Sequence, residues 1–392
     1  MKATAQARSA VSVALAGMLG LASAMGIGRF ALTPIMPLML HDAGLNMGQG
    51  SWLATANYIG YLAGALACIA RPPRPIAAMR WGLVFVAAST LAMGLTRVPF
   101  AWIAFRFVAG VASAMVLVGV SAWAVPVLKR LGREQWSGRV FAGVGAGIAF
   151  TGLASLGAGL AGWGSRSVWL VLGAVAAALV PLLWHPLAAD QTPYDPRGPG
   201  SGQGLGRASL MAAACYGLFG FGYIIPATFL PAFARGTFDD PAIFGLMWPV
   251  LGAAAAISTM VAAAVGRHIS PRRQWIFAQW LLAIGVLAPL RVVNVITLAV
   301  AAVCVGGSFM VITMAGIKEA LRLGGTQGSR AVGLMTAAFA IGQIAGPVVV
   351  ALLRETSGFP VAPSLIAALG LVVSNCILTW GIRESDQALA AT

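Results

Sequence analysis

Between Val98 and Leu128 the chain reads VPFAWIAFRFVAGVASAMVLVGVSAWAVPVL, 31 residues with a single charge, Arg106. A helix rising 1.5 Å per residue needs only about 20 such residues to cross the ~30 Å hydrocarbon core of a bilayer. Similar apolar runs lie upstream at 10–40, 50–70 and 76–96, and downstream at 139–161 and 166–186. After a break, six more fall at 208–233, 241–265, 275–290, 293–317, 330–353 and 362–382. The pattern predicts an all-α integral membrane protein of twelve transmembrane helices.

Composition agrees with that pattern. Hydrophobic residues make up 59% of the 392 and charged residues 9%, where a soluble domain carries roughly 25% charged residues. So few charges cannot cover a soluble surface of this size, so lipid must be the solvent for most of the chain. The 49 glycines suit close approach of helices in lipid, where small residues let backbones touch. The four cysteines, Cys68, Cys215, Cys304 and Cys376, sit inside apolar runs with no metal or redox spacing, and are expected to be buried free thiols. Lys2 and Arg8 precede an apolar stretch, and Ala22-Ser23-Ala24 resembles a signal cleavage site. The apolar pattern runs on to Leu40, so this segment reads as an uncleaved first helix.

The formal charge of +15 does not point to nucleic acid, because the basic residues sit in short loops rather than on one soluble face. With the N-terminus in the cytoplasm, 18 of the 25 Lys and Arg fall in inside loops and five (Arg97, Arg166, Arg235, Arg291, Arg354) in outside loops. The remaining two, Arg29 and Arg106, lie within spans. This asymmetry places both termini inside, in a bacterial-type inner membrane. The break holds Pro193, Pro196, Pro199 and five glycines, a composition that reads as a flexible linker. The expected organisation is an N-terminal six-helix bundle over 1–186, a cytoplasmic linker over 187–207, and a C-terminal six-helix bundle over 208–392.

An internal repeat supports the division. Gly26-Ile27-Gly28-Arg29 precedes Pro37 by eleven residues counted from Gly26, and Gly220-Phe221-Gly222-Tyr223 stands in the same relation to Pro231, 194 positions later. Arg130-Leu131-Gly132 before Arg139 is echoed by Arg322-Leu323-Gly324 before Arg330. Two echoes in the same order suggest duplicated halves of like orientation.

Three stretches carry a more specific likeness: Gly26 to Pro34 with Pro37, Trp52 to Gly64, and Gly220 to Pro231. On these the chain resembles the major facilitator superfamily over essentially its whole length, and in particular its YbfB/YjiJ-type branch. Arg106 with Gly110 and Ala114 is similar to the superfamily's fourth-helix motif, and Gly342-Gln343 with Gly346-Pro347 to an eleventh-helix signature. The resemblance implies two six-helix bundles, a central cavity lined mainly by helices one, four, seven and ten, and alternating access. It departs in the loop between helices two and three: Arg71-Pro72-Pro73-Arg74-Pro75 has bases and no acid, and neither has Gly266 to Arg273. That puts the superfamily's usual charge-pair latch in doubt.

All ten acids fall at or near loops; Glu319, beside Lys318, comes nearest to a span. His41, His185 and His268 are far apart. No metal cluster, carboxylate pair or nucleophile triad can be assembled, no nucleotide-binding loop is present, and no cofactor is expected. The chain reads as a transporter, not an enzyme. Arg29 and Arg106 stand out, because an arginine at mid-membrane costs about 2.5–3.5 kcal/mol on insertion scales and normally faces a cavity or a partner. One reading has their guanidiniums grip a carboxylate in bidentate fashion; the other has them tie down backbone carbonyls. Thr33 lies on the α-helical stripe of Met25 and Arg29. Tyr223, the counterpart of Arg29, shares a face with Gly220 and Tyr216. Asn57, Tyr61 and Gln343 read either as cavity walls or as interhelical hydrogen bonds. Pro34, Pro37, Pro226, Pro231 and Pro249 are expected to shape kinks.

The expected function is a secondary transporter of a small organic anion, working as a monomer in the lipid bilayer without nucleic-acid partners, with proton coupling as the superfamily default. An exporter of amphipathic or drug-like molecules with structural arginines is the alternative, and a membrane sensor or enzyme the third.

Overall fold

The computed structural model describes residues 2–188, 205–237, 241–266, 268–290, 292, 294–353 and 361–381. Most of the expected linker, 189–204, lies outside the described residues, as do Arg197, Arg267, Arg291, Arg354 and Arg383 of the charge tally.

Every element among the described residues is helical. The helices are α1 (Lys2–Leu21), α2 (Leu32–Asp42), α3 (Met47–Ala70), α4 (Pro75–Leu95), α5 (Pro99–Arg130), α6 (Ser137–Leu160) and α7 (Ser165–Ala188). They continue with α8 (Arg207–Thr237), α9 (Pro241–Val265), α10 (Pro271–Leu287), α11 (Val295–Gly324), α12 (Gly328–Leu353) and α13 (Val361–Cys376). Local chemistry sets many ends. Asn46 with Gln49, and Asn294 with Thr297, form reciprocal capping boxes at the starts of α3 and α11. Pro75, Pro99 and Pro271 occupy first helical positions, where the missing N–H is harmless. The second sequence echo has a structural one, shifted by one residue: positive-φ Gly132 follows α5, positive-φ Gly325, next to Gly324 of the echo, follows α11, and a short 3₁₀ turn precedes the next helix in each case.

Ten stretches among the described residues are long and apolar enough to cross a bilayer. The expected number is twelve; of these ten, Val295–Val350 takes in α11 and most of α12, and α10, with 17 residues, is not among them. The outer surface is apolar, with Phe100 83%, Phe277 77% and Leu352 75% exposed, while Ser23, Thr151, Gln279 and Ser308 are fully buried. An apolar outer surface, with the polar side chains that lie in spans turned inward among an apolar core, is the arrangement a hydrocarbon solvent selects. All four cysteines are free; Cys68 and Cys215 are buried as expected, but Cys304 is half-buried and Cys376 exposed.

Helix pairs recur in both parts of the chain. α3 lies along α5 and α9 along α11; α4 along α5 and α10 along α11; α1 beside α6 and α8 beside α12. The two most extensive contacts between the parts are α6 with α9 and α3 with α12, and α5 with α12 and α6 with α11 add smaller ones. The first is close along its length. A Cβ on Gly145 would run into the backbone of Gly252 and Ala256, so only glycine permits this approach. Contact extends from Gly138, against Thr259 and Ala263, to Leu156, against Gly245, about 27 Å of helix at 1.5 Å per residue.

The first span is broken. α1 passes into a π-helical turn over Ala22–Arg29, in which Phe30 N–H reaches Met25 O at 3.0 Å. Pro34 has no N–H to offer the Phe30 carbonyl, and its ring crowds that carbonyl. The backbone tightens, Thr33 N–H bonds Phe30 O at 3.3 Å, and α2 restarts the helix. This corrects the Met25–Arg29–Thr33 stripe. A π turn takes more residues than an α turn, and Thr33 ends half-buried while Met25 and Arg29 are buried.

Candidate functional site

The break aims Arg29 into the centre. The residue is 3% exposed, and its Nη2 donates to Gln343 Oε1 on α12. Its guanidinium carbon lies over the Tyr61 ring, 3.5 Å from the centroid, with Tyr58 and Phe30 at 5.6 and 5.7 Å. Among the described residues, Arg29 Nε and Nη1 have no hydrogen-bond partner, and no carboxylate lies within ion-pairing distance of them. Buried N–H groups of this kind are costly unless something accepts from them.

Arg106 does different work. Its Nη1 donates to Gly28 O at 2.9 Å and its Nη2 to Arg29 O at 2.7 Å. These are carbonyls that the broken helix leaves without helical donors, and an unpaired carbonyl in lipid costs several kcal/mol. Ser113, also on α5, donates to Ala24 O at 2.6 Å. α5 therefore holds the backbone of the π turn, and Arg106 Nε alone is left over. α3 is fixed in turn: Asn57 Nδ2 donates to Arg106 O at 3.0 Å. A Cβ on Gly110 would collide with Asn57 O and Tyr61 N, so glycine there lets α3 bring Tyr61 under Arg29. Asn57 Oδ1 and Gln343 Nε2 are without partners among the described residues.

The second part of the chain supplies aromatic walls. Tyr223 stacks on Phe309 at 4.8 Å and 21°, and on Phe339 at 6.2 Å and 28°. Phe30 reaches across to Trp248 at 6.4 Å and Phe309 at 6.3 Å, both edge-on. Tyr216 joins the same cluster through Phe219, Phe339 and Trp275. Tyr223 OH and Trp248 Nε1 have no hydrogen-bond partner among the described residues.

Of the residues singled out in the sequence, Arg29, Tyr61 and Gln343 meet directly, Asn57 and Arg106 brace them, and Tyr223 and Tyr216 stand in the adjoining aromatic cluster. Thr33 does not join them. Sequence reasoning passed over Phe30, Tyr58, Trp248, Phe309 and Phe339. In an apolar span an aromatic facing inward looks the same as one facing lipid, so only the position of Phe30 beside Arg29 was a usable signal. It also passed over a charge cluster at one end of the molecule. Glu319 is buried; Arg272 Nη2 lies 3.1 Å from its Oε1 and Arg322 Nη2 2.8 Å from the same oxygen. Lys318 lies 3.9 Å from Glu134, near the start of α6. The acid missing from the loop before α10 is supplied by α11, 47 residues further on, where a loop motif could not reveal it. Among the described residues, no three of His, Cys, Asp and Glu gather as metal ligands.

A family model described as "Uncharacterised MFS-type transporter YbfB" matches residues 21–379. The chain belongs to this major facilitator family. No curated protein matches it. Membership makes this major facilitator protein a multi-pass secondary transporter, with a solute and the bilayer as its partners. The matched segment starts at the last residue of α1 and so takes in the whole π turn, Arg29, the brace on α5 and the aromatic walls.

Proposed function

We propose that this major facilitator protein carries a small organic anion across the inner membrane, with Arg29 as the group that grips it. One observation carries the reading: a guanidinium 3% exposed, with two N–H-bearing nitrogens unpartnered among the described residues and no carboxylate beside it. Such a group is satisfied best by an anion, and a carboxylate matches it through charge-assisted hydrogen bonds. Tyr61 and Gln343 complete the grip, Arg106 and Asn57 position it, and Tyr223 and Tyr216 line the far wall.

Twelve spans in two six-helix bundles, 1–186 and 208–392, joined by a cytoplasmic linker over 187–207, complete the reading. The recurring helix pairs and the matched turns after α5 and α11 support it. Both termini are cytoplasmic on this topology, and the protein works as a monomer. Alternating access is rocking about the α6–α9 and α3–α12 contacts, and the proton gradient is the driving force. The apolar and aromatic surroundings of Arg29 favour one competing reading, an exporter of amphipathic compounds.

Purified protein in liposomes separates the two. Uptake of a panel of organic anions is expected to fall at least about tenfold in Arg29→Ala, the loss of charge-assisted hydrogen bonds, and to respond to an imposed pH gradient. Unchanged anion uptake in Arg29→Ala, with competition by apolar cations instead, favours the exporter. A single cysteine placed within 190–206 should resist a membrane-impermeant thiol label in intact cells.

A further inference from the structure

We propose that the anion is an aromatic carboxylate, a flat ring bearing an oxygen substituent opposite its carboxyl group. The inference rests on the anion reading above and adds the shape and class of the solute.

It begins with Tyr61. A guanidinium carbon 3.5 Å from a ring centroid lies in van der Waals contact with the ring face, a separation that face-to-face stacking satisfies best. One face of Arg29 is thereby closed, and a ligand approaches through the edge. A carboxylate bonded to a guanidinium edge lies in the guanidinium plane. When the carboxylate is conjugated to an aryl ring, the ring lies in that plane too, and the whole acid extends as a sheet away from Arg29. A branched or puckered aliphatic acid cannot stay in that plane.

The walls met by such a sheet are aromatic. Phe339 lies four residues before Gln343 on α12, about one helical turn and roughly 6 Å along the axis from the Arg29 contact. Tyr223 and Phe309 continue from it, at near-parallel angles of 28° and 21°. Phe30, next to Arg29 in sequence, meets Phe309 and Trp248 edge to face. Offset stacking and edge-on contact are the two geometries by which aromatic rings attract one another, and this lining offers both. At the far end, the buried Trp248 Nε1 and Tyr223 OH lack partners among the described residues. Trp248 can only donate, so the complementary ligand atom is an acceptor, and a ring oxygen supplies one. Arg29 and these two groups border one aromatic cluster, bridged by Phe30 and Phe309, a combination that suits a rigid acid with a polar tip.

The test is equilibrium binding to the purified full chain in detergent, read by calorimetry, with benzoate, 4-hydroxybenzoate, cyclohexanecarboxylate and benzamide as probes. Benzoate is expected to bind about tenfold tighter than cyclohexanecarboxylate, which matches it in charge and near enough in size. 4-Hydroxybenzoate should bind tighter still, and the neutral benzamide should bind more weakly than either acid. Cyclohexanecarboxylate binding as well as benzoate overturns the aromatic inference and leaves the anion site standing. Benzamide matching benzoate, or neither acid binding, overturns the anion reading and this inference together. Phe309→Leu gives an internal control: the aromatic preference should shrink while carboxylate binding persists. A preference undiminished in a variant whose melting profile matches the parent also overturns the inference.

Discussion

Arg29 and Tyr223 stand at matching places in the repeat, each after a Gly-x-Gly and 194 positions apart, yet their surroundings differ throughout. The first sits where a helix breaks into a π turn, held by side chains of α5 that bind the loosened backbone. The second sits within the continuous helix α8 and contacts its neighbours through ring faces. The same glycine pair thus serves two ends. On one side an arginine is buried at the expense of a scaffold of hydrogen bonds; on the other an aromatic needs only packing. Asymmetry between repeated parts is what a site for a polar-headed, apolar-bodied solute requires, with the charge on one side and the apolar wall on the other.

Three substitutions break or sharpen this contrast. The largest effect is expected from Arg106→Ala. It strands two buried carbonyls at roughly 1–3 kcal/mol each and loosens the π turn, so both the melting temperature in detergent and anion affinity should fall. A loss of affinity with no loss of stability would instead mean that Arg106 touches the solute. Asn57→Ala is expected to be milder, at about 1 kcal/mol for one neutral hydrogen bond, since Arg106 keeps its grip on Gly28 and Arg29; the same melting assay reads it. Tyr223→Phe should be the smallest, within about 0.5 kcal/mol in stability, because the ring remains and its hydroxyl holds no partner among the described residues. A large destabilisation there would overturn the view that the second side is held by ring packing alone.

Several residues of the candidate site are legible in the sequence. An arginine in a span advertises itself through charge, so Arg29 and Arg106 stand out in the sequence, and Gly110 and Ala114 at four-residue spacing from Arg106 point to a helix contact there. Their roles were not separable, since one guanidinium over a ring and another over carbonyls look identical in a string of letters. Thr33 was misplaced for a related reason. The stripe assumed an unbroken α-helix, and although Pro34 warned of a kink, its position does not say that the extra residue is absorbed as a π turn. Phe309, Phe339 and Trp248 were invisible because facing inward is a property of packing.

By itself the sequence determined the solvent and the outline. Apolar runs of bilayer length, the near absence of charge and the repeat require a helical membrane protein, because hydrocarbon tolerates no other backbone arrangement in this pattern. The tertiary structure alone decided which face each helix turns inward, and so which arginine is left with most N–H groups unpartnered among the described residues and which acid joins the charge cluster at Arg272 and Arg322. Those outcomes depend on contacts between residues far apart in the chain, such as Arg29 with Gln343 and Arg272 with Glu319. In lipid an apolar side chain gains little by choosing one face over the other, and close packing and buried hydrogen bonds make the choice.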